Sequence, residues 1–391
     1  MTKCVLVLDG RQRSSLAMTR SFGRRGLPVR VADSASPSLA GRSRYALSQH
    51  VYPDPTVSPQ AFIDWVNGAS QALGISVVVP TTDTTTMLLA PVREKLEGVT
   101  VLCAQAATYE LVSDKGQVLQ LAKLAGIKVP RSVLATSEAE IDAHLLECPF
   151  PVVIKPARSK VVVDGTIVTT SVVIAYSRAE ALRTLHKQPW LGHVRCLIQE
   201  YISGHGAGVF TLFSDDRAVA WFSHERIREK PPTGGVSVLS TSAALPVAVM
   251  EAANKLLSAA NWNGLAMLEF KIASDGTPYL MEINARPWGS LQLAVDCGVD
   301  FPWLLYQSAT GARIDPAPGY ATGRRLRWLL GDVDNLLLQW REAGLSTRRK
   351  MQATGAFLGT FGDVRCRQEI FRWSDPRPAL HELNSWFRAL L

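Results

Sequence analysis

The 391-residue sequence has only six cysteines, at 4, 103, 148, 196, 297 and 366, with no C-x-x-C and no neighbouring Cys/His set. This scatter argues against a zinc site or a disulfide framework and for reduced, buried thiols. No apolar run reaches the roughly 18 residues of a membrane span. The opening MTKCVLVLDG holds a strand-sized apolar run and lacks a signal-peptide cleavage pattern, so a cytoplasmic location and no membrane partner are expected. Internal repeats and low-complexity linkers are missing. No G-x-G-x-x-G follows the first strand, which withdraws support from a nicotinamide or flavin site. Runs of Lys/Arg interleaved with aromatics are also absent, so the net charge of +8 does not imply a nucleic-acid partner.

A chain of this length is too long for one ordinary core and implies two or three packed units. With 47% hydrophobic and 19% charged residues it is globular. The charge is uneven. Residues 1–50 carry nine Lys/Arg against two Asp/Glu, and residues 312–391 carry thirteen against eight, whereas the middle is net acidic. Attraction for small polyanionic molecules fits this distribution.

Residues 1–105 alternate strand-like runs (CVLVL, PVRVAD, ISVVVP, VTVLC) with helical patterns, as a parallel sheet with helices on its faces would require. Ligands of such sheets bind beyond the carboxyl ends of strands. That rule directs attention to Asp9–Arg11 and to Pro80-Thr81-Thr82-Asp83, where Asp83 is equally a helix N-cap. From about residue 106 the pattern changes. SDKGQVLQLAKLAGIKVP reads as a capped helix starting at Ser113 or Asp114, and PVVIKPA as a buried strand. A hairpin turns at Asp164-Gly165. Two antiparallel pairs follow, joined at Asp215-Asp216 and across Ser274-Asp275-Gly276.

The sharpest signal is YLMEINARPWGS (279–290). In a strand, Glu282, Asn284 and Arg286 share one face while Met281, Ile283 and Ala285 lie behind it. On LAMLEFK, Glu269 faces the same way as Met267 and Lys271. If these strands pair, two carboxylates and an amide front one space and repel unless a cation or proton lies between them. Such oxygens suit Mg²⁺ (or Mn²⁺) with phosphate completing its shell. Alternatively they form a solvated outer face. Lys155 interrupts an apolar run, which is a poor place for a charge without an anionic partner. Lys115 opens a helix, where backbone amides also favour anions. His224, Arg226 and Arg228 alternate on one strand, and the Lys230-Pro-Pro-Thr-Gly-Gly-Val-Ser loop after them can bring backbone N–H groups to a ligand.

The ordered set SDK, VVIKP, IQEYISG, MLEFK and MEINARPWG resembles the ATP-grasp superfamily, and most nearly its carbamoyl-phosphate-synthase-like carboxylate–amine ligases. The resemblance covers about residues 106–311. It implies an α/β and α+β multidomain chain: an N-terminal parallel-sheet domain (1–105), an ATP-grasp small lobe with linker helices (106–195), a large lobe carrying the metal site (196–311), and a C-terminal extension (312–391). That extension would be a lid, a homodimer surface or part of the substrate pocket. By position, Lys115 and Lys155 would contact the ATP phosphates. Gln199, Glu200, Tyr201 and Ile202 would form the hinge that holds adenine, through the backbone of Glu200 and Ile202. Glu269, Glu282 and Asn284 would be the magnesium ligands, Arg286 would steady an acyl-phosphate, and Arg228 would reach phosphate or substrate. Thr82, Asp83 and the Thr233–Ser237 loop, with Gly234, Gly235 and Ser237, are candidates for substrate contact.

Two departures stand out. ARSKVVVDGT after Lys155 lacks a glycine-rich phosphate-covering loop, and GHGAG after the hinge lacks the acid that often binds ribose. The implied activity is ATP-dependent activation of a small-molecule carboxylate as an acyl-phosphate, then attack by an amine, with ADP and phosphate released. A thiol, ammonia or bicarbonate acceptor, or a regulator that binds nucleotide without turnover, are the alternatives.

Overall fold

The computed structural model describes residues 3–312, 314 and 319–390. Short β-branched runs at the start form a five-stranded parallel sheet, ordered β3-β2-β1-β4-β5: β1 Cys4–Val7, β2 Val29–Asp33, β3 Ala46–Val51, β4 Ile75–Val79 and β5 Thr100–Val101. Helices α1 (Arg13–Arg24), α2 (Pro59–Ala72) and α3 (Asp83–Leu89) cover its faces. Because β1 is covered on both sides, Val5, Leu6 and Val7 are all fully buried. Asp9, at the end of β1, is buried as well. It accepts hydrogen bonds from the amides of Thr81 and Thr82 and the hydroxyls of Thr85 and Tyr52. Arg11 pairs with Asp33. The Asp9–Arg11 edge expected to meet substrate is thus occupied in tying strands together.

Helices α4 (Ala106–Ser113) and α5 (Lys115–Leu124) follow, the second capped by Asp114, whose side chain accepts from the Gln117 amide. The next unit is a four-stranded antiparallel sheet, β10-β7-β11-β6, with a separate hairpin β8–β9. It comprises β6 Ser132–Ala135, α6 Glu138–Glu147, β7 Val152–Pro156, β8 Lys160–Val163, β9 Thr166–Thr169, β10 Val173–Ala175, α7 Arg178–Leu185 and β11 Cys196–Glu200. Ser137 and Ser177 cap its two helices in S-x-x-E arrangements. Strand β11 pairs with β6 and β7, so the boundary expected after residue 195 falls one strand too early. Helices α4 and α5 bury Tyr109, Val112, Val118 and Ala122 with residues of the following lobe, while Leu119 of α5 packs against Ala157 and Leu197 of the small lobe.

The largest sheet has seven strands, β16-β15-β12-β13-β14-β17-β18. Its members are β12 Gly204–Ser214, β13 Arg217–Lys230, β14 Val236–Ser242, β15 Gly264–Ala273, β16 Pro278–Asn284, β17 Arg325–Arg327 and β18 Cys366–Gln368. Helices α8 (Val247–Ala259), α9 (Leu291–Asp296) and α10 (Phe301–Thr310) pack on it. Beyond them lie α11 (Leu329–Arg341), α12 (Thr347–Gly359) and α13 (Arg377–Leu390). Asp300 caps α10, and Gly311 closes it in the left-handed region at φ 71°.

The residues expected to form a C-terminal extension instead complete this sheet through β17 and β18 (of that segment, 313, 315–318 and 391 lie outside the described residues). They also grip the N-terminal domain. Arg20 on α1, 1% exposed, pairs with fully buried Asp375 at 2.9 Å and donates to the carbonyls of Glu369 and Ile370. The same Asp375 accepts from Ser43 and the Arg44 amide. Removing one member of a buried pair strands the other charge, which typically costs about 3–5 kcal/mol. Asp375→Ala should therefore lower unfolding free energy by about that amount in urea titrations; a loss of under about 1 kcal/mol, as exposed pairs give, would contradict the clamp.

Candidate active site

The hairpin β15–β16 sets the geometry. Glu269 stands directly opposite Glu282, and Met267 opposite Asn284. Directly opposed residues of an antiparallel pair share a face with Cβ atoms roughly 4.5–5.5 Å apart. Ile283 and Ala285 are buried in the core behind them. Met281 departs from the expected alternation. The register shifts between Glu269 and Phe270, which pairs with Leu280, so Met281 is the extra residue of a β-bulge. A bulge re-aims a side chain, and here it turns Met281 into the cleft, where its sulfur lies 3.7 Å from Lys155 Nζ.

Cations answer the two carboxylates. Lys115, nearly buried at the start of α5, sits 3.3 Å from Glu282 Oε2 and donates to Ser159 Oγ at 3.0 Å. Lys155 projects from β7. Burial pushes its pKa down, opposed by the attraction of Glu282. Burial alone would raise the Glu282 pKa, but Lys115, Lys155 and Arg286 together pull it down to about 2. Glu269 is held by Arg226 through Nη2 at 2.7 Å and Nη1 at 3.0 Å. Arg226 reaches it from β13 by passing over β12 at Gly206, where a Cβ would lie 2.9 Å from Arg226 Cδ. The GHGAG segment that lacks an acid therefore supplies room for a guanidinium. Glu229 and the Gly235 carbonyl also accept from Arg226.

Arg228 is not brought to this site. Paired bulges shift the β13–β14 register between Arg226 and Arg228 and again between Arg228 and Glu229. The first shift breaks the two-residue alternation, so Glu229 joins Arg226 at the cleft. Arg228 instead makes a two-nitrogen ion pair with fully buried Asp332 of α11, at 2.6 and 2.7 Å, and donates to Thr360. Its expected contact with phosphate or substrate is thereby corrected to a packing role. His224 is 1% exposed; burial and Arg226 push its pKa well down, so the ring is neutral.

Between the small lobe and the large sheet lies a cleft of about 370 Å³. Val153, Ile174, Tyr201, Ile202 and Met281 give it apolar walls, and Lys155, Glu269 and Glu282 lie at its polar end. Gln199 lines it too, with its amide donating to Ser132. The Glu200 side chain turns away to an ion pair with Arg131. Gly234 lines this cleft, and Gly235 lines both it and a second cavity beside it.

A second cavity, of about 290 Å³, shares Glu269 and Glu282 with the first and adds Asn284, Arg286, Ser237 and Arg13. Arg286 donates to Asp83 at 2.9 Å and to Asn284 at 3.1 Å. Asp83 is thus a positioner of Arg286, and Thr82, not Asp83, caps α3 by accepting from the Thr85 amide. Three residues escaped the sequence reading. Arg13 reaches the second cavity, with its guanidinium passing where a Cβ on Gly289 would stand 2.8 Å away. Lys160, whose pKa is lowered by burial and by Arg286 against the pull of Asp83, lies on hairpin β8–β9. Ser159 holds Lys115. The run Arg158-Ser159-Lys160 takes the place of a glycine-rich loop, and the Ile167 amide of the same hairpin bonds the Thr56 carbonyl of the N-terminal domain.

The donor set suits a divalent ion: two opposed carboxylates and an amide, now balanced by an arginine and two lysines. Among the described residues no group of three or more His, Cys, Asp or Glu offers a competing metal site, and no helix is long and apolar enough to cross a membrane.

Two lobes gripping a cleft, behind a parallel-sheet domain, form the ATP-grasp fold. Residues 193–330 match the family described as ATP-grasp in the biosynthetic pathway with Ter operon. The chain is 24% identical over 248 residues to the arginine-specific large chain of carbamoyl phosphate synthase from Bacillus subtilis; the match spans 62% of this chain and 23% of that protein. Among solved structures, an L-amino acid ligase from Bacillus licheniformis superposes with TM-score 0.62 at 18% identity, covering 80% of this chain and 77% of that one. N5-carboxyaminoimidazole synthetase from Staphylococcus aureus, complexed with ADP, gives 0.63 at 15%, covering 83% and 80%. The biotin carboxylase domain of Hydrogenobacter thermophilus 2-oxoglutarate carboxylase, with MgADP, gives 0.66 at 15%, covering 83% and 73%.

The Glu282 environment has a pH signature. Its folded value, about 2, lies below the ordinary 4.5. The carboxylate therefore adds stability above the ordinary value and loses it as pH falls toward the folded one. Wild type should be more stable than Glu282→Gln at neutral pH in the absence of nucleotide, and the gap should close as pH drops from about 4.5 to about 2. A pH-independent gap in urea titrations would contradict this account.

Proposed function

We propose that the protein is an ATP-dependent carboxylate–amine ligase. The observation that carries this reading is the direct opposition of Glu269 and Glu282, with Lys115, Lys155, Asn284 and Arg286 converging on them. In this reading adenine enters the apolar end of the 370 Å³ cleft, against the backbone of Glu200 and Ile202 and the side chains of Tyr201 and Met281. The triphosphate runs to Lys155 and Lys115. Glu269, Glu282 and Asn284 would hold Mg²⁺, which neutralises phosphate charge when bound. Arg226 and Lys115 occupy the carboxylates in its place, and Arg226 must yield Glu269 when the ion arrives.

The acid substrate lies in the 290 Å³ cavity, its carboxylate beside Arg286. That carboxylate attacks the γ-phosphorus and ADP departs, while Arg286 and the two lysines spread the negative charge that develops. The acyl-phosphate is then attacked by an amine, and phosphate leaves. Hairpin β8–β9, bonded to the N-terminal domain through Ile167, covers the phosphates and keeps water from the labile anhydride. Asp83 keeps the Arg286 guanidinium turned to the reacting group.

The test is release of ADP and phosphate from MgATP across a panel of carboxylic acids combined with amino acids and simple amines. Acid-dependent ADP release supports the proposal. AMP and pyrophosphate as products, or no turnover with any acid, would overturn it in favour of adenylation or of a nucleotide-binding regulator. Glu282→Gln should retain the fold and lose ATP turnover by at least about a hundredfold, as expected when electrostatic stabilisation of transferred phosphate is removed; undiminished turnover would contradict the site.

A further inference from the structure

Four carboxylates line the 370 Å³ cleft, those of Glu200, Glu229, Glu269 and Glu282. Glu269 and Glu282 face one another at its polar end, and the Glu200 side chain is taken up by Arg131. Glu229 remains, and Gly206 gives it a place. That glycine of β12 belongs to the GHGAG segment without an acid, and a Cβ built on it would stand 3.2 Å from Glu229 Oε1. An acid carried by β13 thus lies against the space that a side chain at residue 206 would enter. We propose that Glu229 binds the ribose of the nucleotide, its carboxylate accepting hydrogen bonds from the 2′- and 3′-hydroxyls.

The order of groups along β12 fits the order of groups in a nucleotide. The strand starts at Gly204, just after Tyr201 and Ile202 of the apolar end, and Gly208 stands directly opposite Glu269. Gly206 lies between them, roughly 7 Å along the strand from the level of Glu269. Base, sugar and phosphates would follow in that sequence. Glu229 is also oriented for the task. The bulges of β13–β14 turn it into the cleft, and its Oε1 accepts from Arg226 Nη1 at 2.9 Å. Its side chain is 13% exposed, and among the described residues no donor engages Oε2. An ionised carboxylate accepts at both oxygens, so capacity for a diol is left over. When a metal ion draws Glu269 away, Arg226 still has Glu229 and the Gly235 carbonyl as acceptors, and the acid stays in position.

A carboxylate in this place selects ribonucleotides. Hydrogen bonds to an ionised acceptor in a partly buried site correspond to about tenfold in affinity or more, and a sugar without the hydroxyls forfeits them. A residue that merely supported Arg226 would affect all nucleotides alike. The inference rests on the nucleotide site of the ligase reading, so its test reads binding and compares sugars.

The Kd values of ADP and 2′,3′-dideoxy-ADP, each with Mg²⁺, are measured by titration calorimetry on the full-length protein and on Glu229→Ala and Glu229→Gln. Wild type should bind ADP about tenfold or more tighter than the dideoxy nucleotide. Glu229→Ala should lose about that factor for ADP while its Kd for dideoxy-ADP stays within about twofold of wild type. Glu229→Gln, nearly isosteric, carries the test if the alanine variant does not fold; its loss should be about fivefold and again confined to ADP. Equal weakening of both nucleotides in the variants overturns the inference, as does a preference for ADP that survives the substitutions or is missing in wild type. Wild-type protein that binds neither nucleotide removes the ligase reading, and this inference with it.

Discussion

Two carboxylates placed face to face across a β-hairpin dominate the architecture. Glu269 and Glu282 repel each other, and a fold that keeps them adjacent has to surround them with positive charge. It does so from four directions: Arg226 from β13, Lys115 from α5, Lys155 from β7 and Arg286 from the end of β16. These elements belong to different lobes. The same attraction that settles the carboxylates therefore draws the lobes around one cleft, and a bound cation would loosen the arginine and lysine contacts that now substitute for it.

Backbone irregularities decide which side chains join this cluster. The bulge at Met281 places a thioether against Lys155, and the paired shifts in β13–β14 bring Glu229 to Arg226 while removing Arg228 to Asp332. The C-terminal residues matter for a related reason. Asp332 retains Arg228 and also Arg327, Asp375 retains Arg20, and Glu369 pairs with Arg13 at 2.5 Å on the edge of the acid cavity. The last segment of the chain thus fixes the N-terminal domain against the large sheet.

Much of this arrangement was legible in the residues. Alternation in MEINAR placed Glu282 and Asn284 on one face. The charge inside VVIKP marked Lys155, and the cap at Asp114 set Lys115 at a helix start. What could not be read depended on contacts far apart in sequence. Met281 and Arg228 were misplaced because two-residue periodicity holds only until a bulge breaks it, and no local signal marks these bulges. Asp83 read as a helix cap or a substrate contact because its partner Arg286 lies 203 positions away. Arg13 and Lys160 resembled ordinary surface residues until the domains were brought together. The Trp- and Arg-rich C-terminal stretch gave no sign that it would supply two strands to the central sheet.

A crystal structure of the complex with MgADP tests the central claim most directly. The account predicts a metal ion bound by oxygens of both Glu269 and Glu282, the adenine against Tyr201 and Ile202, and the Arg226–Glu269 ion pair opened. A nucleotide bound elsewhere, or a metal touching neither carboxylate while that ion pair stays closed, would contradict it.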